Sequence, residues 1–265
     1  MTERTQPPLP HPTRLSVNLN KVALMRNARG GGRPSVRAAA EACIRAGAHG
    51  ITLHPRPDGR HARAEDVIEL AAWLPVELNV EGNPFAGPGT RGAYAYPGFV
   101  TILETTKPVQ ATLVPDAAGQ RTSDHGWALT SEETARLRPL VERLQAQGSR
   151  VSLFMDPDLE AIERAAALGV DRVELYTGPY AEAFATGDAE GVLSRYVAAA
   201  ERAQALGLGL NAGHDLDLDN LDPFLRAIPT VHEVSIGQAL VADALHIGLD
   251  AAVRAYLEVI ASASA

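Results

Sequence analysis

Residues 148–176 read GSRVSLFMDPDLEAIERAAALGVDRVELY. A short apolar run over 150–154 leads into Asp156-Pro157, an N-cap side chain followed by proline at the first helical position. The chain is then helix-forming as far as Gly169, and a second short apolar run, 172–176, follows almost at once. A glycine at that junction lets a helix stop in a left-handed turn that a Cβ would oppose. Strand, helix, glycine, strand is the repeating unit of a parallel sheet covered by helices.

The unit recurs along the chain. Gly47, Gly148 and Gly207 also stand just before short apolar runs. Strands are predicted at 15–18, 50–54, 76–80, 110–114, 150–154, 172–176, 208–211 and 233–236. Pro34-Ser35 opens a helix with Val36, Ala40, Cys43 and Ile44 on one stripe. Thr130-Ser131-Glu132-Glu133 is a capping box ahead of Leu137, Leu140, Val141 and Leu144. Val192, Tyr196, Ala199 and Ala203 mark another helix. Eight strand–helix units within 265 residues predict an α/β fold, a single-domain (β/α)8 TIM barrel over 14–265. An open doubly wound sheet is the alternative. Residues 1–13, polar and proline-rich, are expected to be a flexible tail. The segment 83–97, with Pro84, Gly87, Pro88, Gly89, Gly92 and Pro97, is expected to be a loop inserted after the third strand, either a lid or a passive insertion.

Composition narrows the function classes. A net charge of −8, from 32 acidic and 24 basic residues, argues against a general nucleic-acid binder. The basic, glycine-rich run Arg26-Asn27-Ala28-Arg29-Gly30-Gly31-Gly32-Arg33 therefore reads as a phosphate grip rather than an RNA-binding segment. A single cysteine, Cys43, excludes an internal disulfide and fits a reducing compartment, and the start of the chain lacks a signal-peptide apolar stretch. No apolar run approaches the ~18 residues of a membrane span. The expectation is a cytoplasmic enzyme. No cysteine pair, His-Glu-x-x-His or EF-hand loop is present, so no metal is expected, although a dispersed set of His54, Glu81, Glu174 and His214 is compatible with a metal.

Reacting groups of such barrels sit at the C-terminal strand ends. Those ends carry Asn18 and Asn20, then His54 and Arg56, then Glu81, then Asn211 and His214, then Gly237. His54 and His61 share eight residues with Arg56 and Arg60, a composition suited to proton transfer beside an anion. Glu81 could shuttle protons if burial raised its pKa. Glu174, between Val173 and Leu175, is expected to point into the barrel, either as a functional carboxyl or in a structural ion pair with an arginine. Asn211-Ala212-Gly213-His214 and Ser235-Ile236-Gly237 lie where many barrels bind phosphate through backbone N–H groups.

Several runs carry a specific resemblance: 16–21 with 26–30, 50–58 with Arg60-His61, Leu113-Val114-Pro115-Asp116, 173–177 and 210–216. Together they closely resemble the pyridoxine 5'-phosphate synthase family, over nearly all of the chain beyond the tail. The resemblance implies a cofactor-independent barrel enzyme that condenses 3-amino-2-oxopropyl phosphate with 1-deoxy-D-xylulose 5-phosphate into pyridoxine 5'-phosphate, releasing phosphate and water. It also implies a homo-oligomer, an octamer in many members. By position it implies that His54 is a general base, Glu81 a second acid/base, His214 a proton donor and Glu174 a stabiliser of transition-state charge. Asn18, Gly237 and Gln238 would hold the aminoketone phosphate. Asn20, Lys21, Arg56, His61 and Thr122 would hold the deoxyxylulose phosphate, with Arg29 and Asp215 also at the site. The chain departs from the commoner pattern at Asn20-Lys21 in place of Asp-His, at Asp215 in place of glycine, and at Gln238 in place of histidine; unlike histidine, glutamine cannot carry a positive charge towards phosphate.

Two other readings remain open at this point. A Schiff-base aldolase would need Lys21 or Lys107, the only lysines, and an epimerase of this fold class would need a metal. A barrel that binds a phosphorylated ligand without turnover is the non-catalytic alternative.

Overall fold

The structure, a computed structural model, describes residues 13–117 and 119–264. The expected tail thus lies outside the described residues except for Thr13, whose hydroxyl donates to the Val231 carbonyl at 2.9 Å. In chain order the strands are β1 (Arg14–Asn18), β2 (Gly50–Leu53), β3 (Glu77–Gly82), β4 (Gly89–Arg91), β5 (Tyr94–Tyr96), β6 (Gln110–Leu113), β7 (Arg150–Met155), β8 (Arg172–Tyr176), β9 (Gly209–Gly213) and β10 (Val231–Ile236). The helices are α1 (Asn20–Ala28), α2 (Val36–Ala46), α3 (Ala64–Ala71), α4 (Phe99–Thr106), α5 (Ser131–Ala146), α6 (Leu159–Leu168), α7 (Gly178–Thr186), α8 (Ala189–Ala205), α9 (Leu221–Ala227), α10 (Gln238–Ile247) and α11 (Leu249–Ala263). All strands but β4 and β5 form one closed barrel in the order β1-β2-β3-β6-β7-β8-β9-β10, with every neighbouring pair parallel. The predicted closed barrel, rather than the open sheet, is the fold.

Local signals act where expected. Gly47, Gly148, Gly169 and Gly207 all adopt positive φ at helix ends. Ser35 caps α2 by accepting from the Ala38 N–H, and Thr130 and Glu133 form a reciprocal capping box on α5. One cap differs from expectation. The N-cap of α6 is Asp158, which accepts from the Ala161 N–H at 2.7 Å. Asp156 instead accepts from the Gly126 N–H, because the chain between the β7 end and the helix is two residues longer than the Asp-Pro signal implies.

The strands are less uniformly apolar than their sequence first suggests. Each alternates, with apolar side chains outward and polar ones inward. Leu15, Val17, Ile51, Leu53, Val151, Leu153, Val173, Leu175, Val234 and Ile236 are fully buried against the helices. Each contributes about 1.5–3 kcal/mol of burial. The hydrophobic core is therefore a ring between barrel and helices, and the barrel interior is polar. At its N-terminal end Glu77 pairs with Arg14 and with Arg150, the latter at 2.6 Å. Arg150 also donates to Gln110, Gln110 to Glu233, Asn211 to Gln110, and Arg172 to Asn211. Above this lie the Ser16–Thr52 and Thr112–Asn79 hydroxyl contacts at 2.7 and 2.9 Å.

Segment 83–97 is not a plain loop. It folds into the antiparallel β4–β5 hairpin, which packs on the chain that follows β2. The Tyr94 ring lies where a Cβ on Gly59 would be, 2.4 Å from its Cδ1, and the Tyr94 hydroxyl accepts from the Ala64 N–H. Tyr96 is buried and its hydroxyl donates to the Pro55 carbonyl, while Arg91 pairs with Asp58 at 3.5 Å.

Candidate active site

A cavity of about 710 Å³ opens at the C-terminal end of the barrel, within the usual range for small-molecule sites. Two inward positions higher than the Glu77 pairs, β3 delivers Glu81 to its floor, and β8 delivers Glu174. His54, one residue past β2, forms a wall; Asn20 of α1 fixes its backbone by accepting from the His54 N–H at 2.9 Å. His214 adopts a left-handed conformation at φ 66 just beyond β9, and its ring lies among Phe154, Tyr176 and Thr122. Its Nε2 is 2.7 Å from the Thr122 hydroxyl and its Nδ1 is 2.6 Å from Asp215. That close approach needs Gly213, since a Cβ there would stand 2.2 Å from the Ser235 carbonyl oxygen.

The carboxyls of the floor are held towards their neutral forms. Burial raises Glu81; Asp116 and Glu233 add to that, and His214 opposes it, leaving the group at about 7. It accepts only long contacts, from Asn18, Asn79 and Ser235 at 3.3–3.5 Å. Burial and the nearby Glu81 and Glu233 push Glu174 well above the carboxylate range. The arginine ion pair considered for Glu174 does not form, and its Oε2 has no protein hydrogen-bond partner. His54 is 5% exposed, and burial with Arg56, His61, Arg60 and His214 drives its pKa well below 6.5. It is a neutral base at pH 7.

Two sides of the cavity are built for anions. On one, α10 starts at Gln238 directly after Gly237, so its free N–H groups open beside Asn18. A Cβ on Gly237 would lie 2.9 Å from the Asn18 Cβ, so the backbone approaches there without a side chain. On the other side stand Lys21, Arg56, Arg60, His61 and Thr122. Burial, then Arg56 and Arg60, hold His61 down at about 3, so that its ring is neutral among cations. Burial and the same two arginines lower Lys21. Asn27 of α1 pins this loop by donating to the carbonyls of Gly59, Arg60 and His61 at 2.7–3.1 Å.

Most of the residues singled out from the sequence converge here: Asn18, Asn20, Lys21, His54, Arg56, His61, Glu81, Thr122, Glu174, His214, Asp215, Gly237 and Gln238 all line the cavity. Arg29 does not. It is exposed beyond the last turn of α1, about 13 Å along the helix from Asn20. Asn211 is also elsewhere, one inward position below the site in the Arg172–Gln110 network. Lys107 caps α4 away from the cavity. Among the described residues no three His, Cys, Asp or Glu are arranged to hold a metal. Ser235, named from the sequence in its run with Gly237, also lines the wall, as do Phe154 and Arg121, which sequence reading passed over; Phe154 is legible as an inward position at a strand end, whereas Arg121 carries no such signal.

Residues 15–262 match the family model described as "Pyridoxal phosphate biosynthesis protein PdxJ". The chain belongs to the PdxJ family. It is 56% identical over 253 residues to the pyridoxine 5'-phosphate synthase of Xanthomonas axonopodis pv. citri (strain 306), covering 94% of this chain and 97% of that one. It is 53% identical to the pyridoxine 5'-phosphate synthase of Xylella fastidiosa (strain M23), again over 94% of this chain and 95% of that one. Among solved structures, phosphoribosylanthranilate isomerase from Thermotoga maritima superposes with a TM-score of 0.54 at 12% identity, covering 94% and 99% of the two chains. A ligand-free tryptophan synthase from M. tuberculosis gives 0.59 at 12% identity, covering 96% and 93%. These two show a shared barrel only. The positions expected to depart from the commoner family pattern, Asn20, Lys21, Asp215 and Gln238, all line the cavity.

Proposed function

We propose that this cavity joins 3-amino-2-oxopropyl phosphate to 1-deoxy-D-xylulose 5-phosphate, making pyridoxine 5'-phosphate with release of phosphate and water. The observation that carries the reading is one enclosed set of neutral-form acids and bases flanked by two separate anion-binding sides. Two phosphorylated substrates need two such sides, and the reaction between them is mostly proton transfer. The α10 N-terminus with Asn18, Gly237 and Gln238 takes the aminoketone phosphate. Asn20, Lys21, Arg56, His61 and Thr122 take the other.

Imine formation, phosphate loss, water addition and ring closure each need protons moved at defined atoms. His54, neutral at pH 7, accepts protons. Glu81, at about 7, can accept and return them. His214, held between Thr122 and Asp215, donates. Glu174, neutral and without a cation partner, steadies positive charge that develops beside it and donates a hydrogen bond to negative charge. Each such group typically contributes about 10²–10⁴-fold. The β4–β5 hairpin acts as a brace for the phosphate loop rather than as a lid, given the Tyr94–Gly59 and Tyr96–Pro55 contacts. We further propose a cytoplasmic homo-oligomer.

Incubating the protein with both substrates and following pyridoxine 5'-phosphate and free phosphate tests the reading; binding of both without product would overturn it. Lys21, with its lowered pKa inside the cavity, favours one second reading, a Schiff-base enzyme. Borohydride trapping in the presence of either substrate decides between them, because the amine here comes from the substrate and no protein adduct is expected.

A further inference from the structure

Asp116 lies just past β6, is 6% exposed, and is not part of the cavity wall. Its Oδ2 meets three side chains that come from different places. It is in contact with the Arg56 guanidinium, it accepts from the Ser123 hydroxyl at 3.1 Å, and it stands 3.5 Å from the Nε2 of His54. On the opposite edge of the same imidazole, Nδ1 stands 3.9 Å from Glu81. His54 is thus flanked by two carboxyl groups, one behind the wall and one in the cavity.

The two are not equivalent. Burial leaves both above their ordinary values; at Asp116 the Arg56 guanidinium and the Ser123 hydroxyl oppose that rise and offer contacts to a carboxylate, whereas Glu81 has only long contacts and rests at about 7. A charged carboxylate wants a donor, and a carboxyl that is half protonated near neutrality can offer one. The neutral imidazole satisfies both by carrying its hydrogen on Nε2, towards Asp116, and presenting the Nδ1 lone pair towards Glu81 and the cavity. The backbone also holds the ring in place, through Asn20 on the His54 N–H.

We infer that Asp116 is a positioning residue: from behind the cavity it fixes the tautomer of His54, so that Nδ1 is the base, and it holds Arg56 at the same time in the geometry that receives phosphate. The inference rests on the assignment of His54 as a base in the proposed reaction. One carboxylate thereby couples the proton-moving group to the anion grip. The other charged or titratable groups facing His54 are Arg56, Arg60, His61, His214 and Glu81; the His61 ring lies 6.0 Å away between centroids, and Glu81 approaches Nδ1.

The direct test reads the wild-type protein and uses a variant only for assignment. Nitrogen NMR of the full-length protein labelled at histidine, with the His54 signals assigned by their loss in His54→Gln, reports which ring nitrogen carries hydrogen at pH 7.5. Hydrogen on Nε2 is expected; hydrogen on Nδ1 overturns the inference, whether or not the protein proves to make pyridoxine 5'-phosphate. Kinetics supply the second arm. Asp116→Asn keeps the size and removes the charge. It is expected to lower kcat at least tenfold, to raise KM for the deoxyxylulose phosphate more than for the aminoketone phosphate, and to move the acid limb of kcat/KM to lower pH. The direction is the same whichever group gives that limb, because loss of a neighbouring anion lowers both His54 and Glu81. Asp116→Glu is expected to return the limb to its wild-type position. A folded Asp116→Asn enzyme with an unmoved limb and unchanged kcat would leave Asp116 as packing only. If Asp116→Asn does not fold, the wild-type tautomer decides alone.

Discussion

Glu77 and Glu81 stand four residues apart on β3, both facing the barrel interior, and their surroundings push them in opposite directions. Burial would raise Glu77, but the Arg150 hydrogen bond and the charges of Arg150, Arg14 and Arg172 outweigh it and leave the group below the usual carboxylate value. Burial raises Glu81 to about 7 because no cation is in contact with it. At one end of the barrel Glu77 is paired with Arg14 and Arg150 and is fixed as an anion, while Glu233 behind it, held by Gln110, is raised by burial. At the other end the cations are set back on the rim for substrate phosphate, and the acids on the floor keep exchangeable protons. The same polar interior thus serves stability at the bottom and chemistry at the top.

That contrast can be tested from both ends. The largest effect is expected at the top: His54→Ala should reduce pyridoxine 5'-phosphate formation by about 10³-fold or more with an unchanged circular dichroism spectrum. Near-normal turnover would take His54 out of the mechanism. Glu81→Gln should lower kcat about 10²-fold and, in the same protein, raise the melting temperature above pH 7. The sign follows from linkage. A carboxyl whose folded pKa is about 7 favours the folded state in its protonated form, so the wild type loses stability as pH rises from about 4.5 through 7, and glutamine removes that loss. A melting temperature that falls instead would mean that Glu81 is an anchored anion like Glu77.

Glu77→Gln should do the reverse. It strips Arg14 and Arg150 of their partner, so unfolding should become easier by about 1–3 kcal/mol while kcat stays within about twofold. Glu77 has a lowered folded pKa, so its contribution is present above the unfolded carboxylate value and is lost as pH falls through the folded one. Denaturant titrations at pH 7 and pH 4 should therefore bring wild type and variant closer together at the lower pH. The smallest effect is expected at Gln238→His, which adds a titratable cation at the α10 N-terminus. KM for the aminoketone phosphate should fall by about two- to fivefold below pH 6.5 and stay unchanged above pH 8.

Much of this division was legible in the sequence. The glycines before strands and the capping box located the strand–helix units, because each acts through its own backbone and needs no distant partner. The alternation Arg14-Leu15-Ser16-Val17-Asn18 already carries the polar interior, yet eight short runs taken together read as simply apolar. The sequence could identify His54, Glu81, Glu174 and His214 as strand-end groups, but could not separate them from Asn211. Register parity points Asn211 inward, and only closure of the barrel shows that it stops one layer short of the site. The β4–β5 hairpin was hidden because its strands are three residues each and their order comes from Tyr94 and Tyr96 packing on a distant loop. Asp116 was visible as part of a family motif, while its contacts with Arg56 and His54 arise between loops that only the fold joins.

The network at the bottom of the barrel draws Arg14, Glu77, Gln110, Arg150, Arg172, Asn211 and Glu233 from seven of the eight strands. A fragment ending after β6 would hold Glu77 and Gln110 without Arg150, and its complement would hold Arg150 and Arg172 without Glu77. The first piece would keep the Arg14–Glu77 pair and the second would keep Glu233, but Arg150 would lose both Glu77 and Gln110, and Glu233 and Asn211 would lose Gln110, so each piece is expected to be poorly soluble alone and to recover activity only when both are refolded together. The chain is thereby committed to assembling its ring of strands in a single cooperative act, and a natural half-sized ancestor would have had to work as a pair.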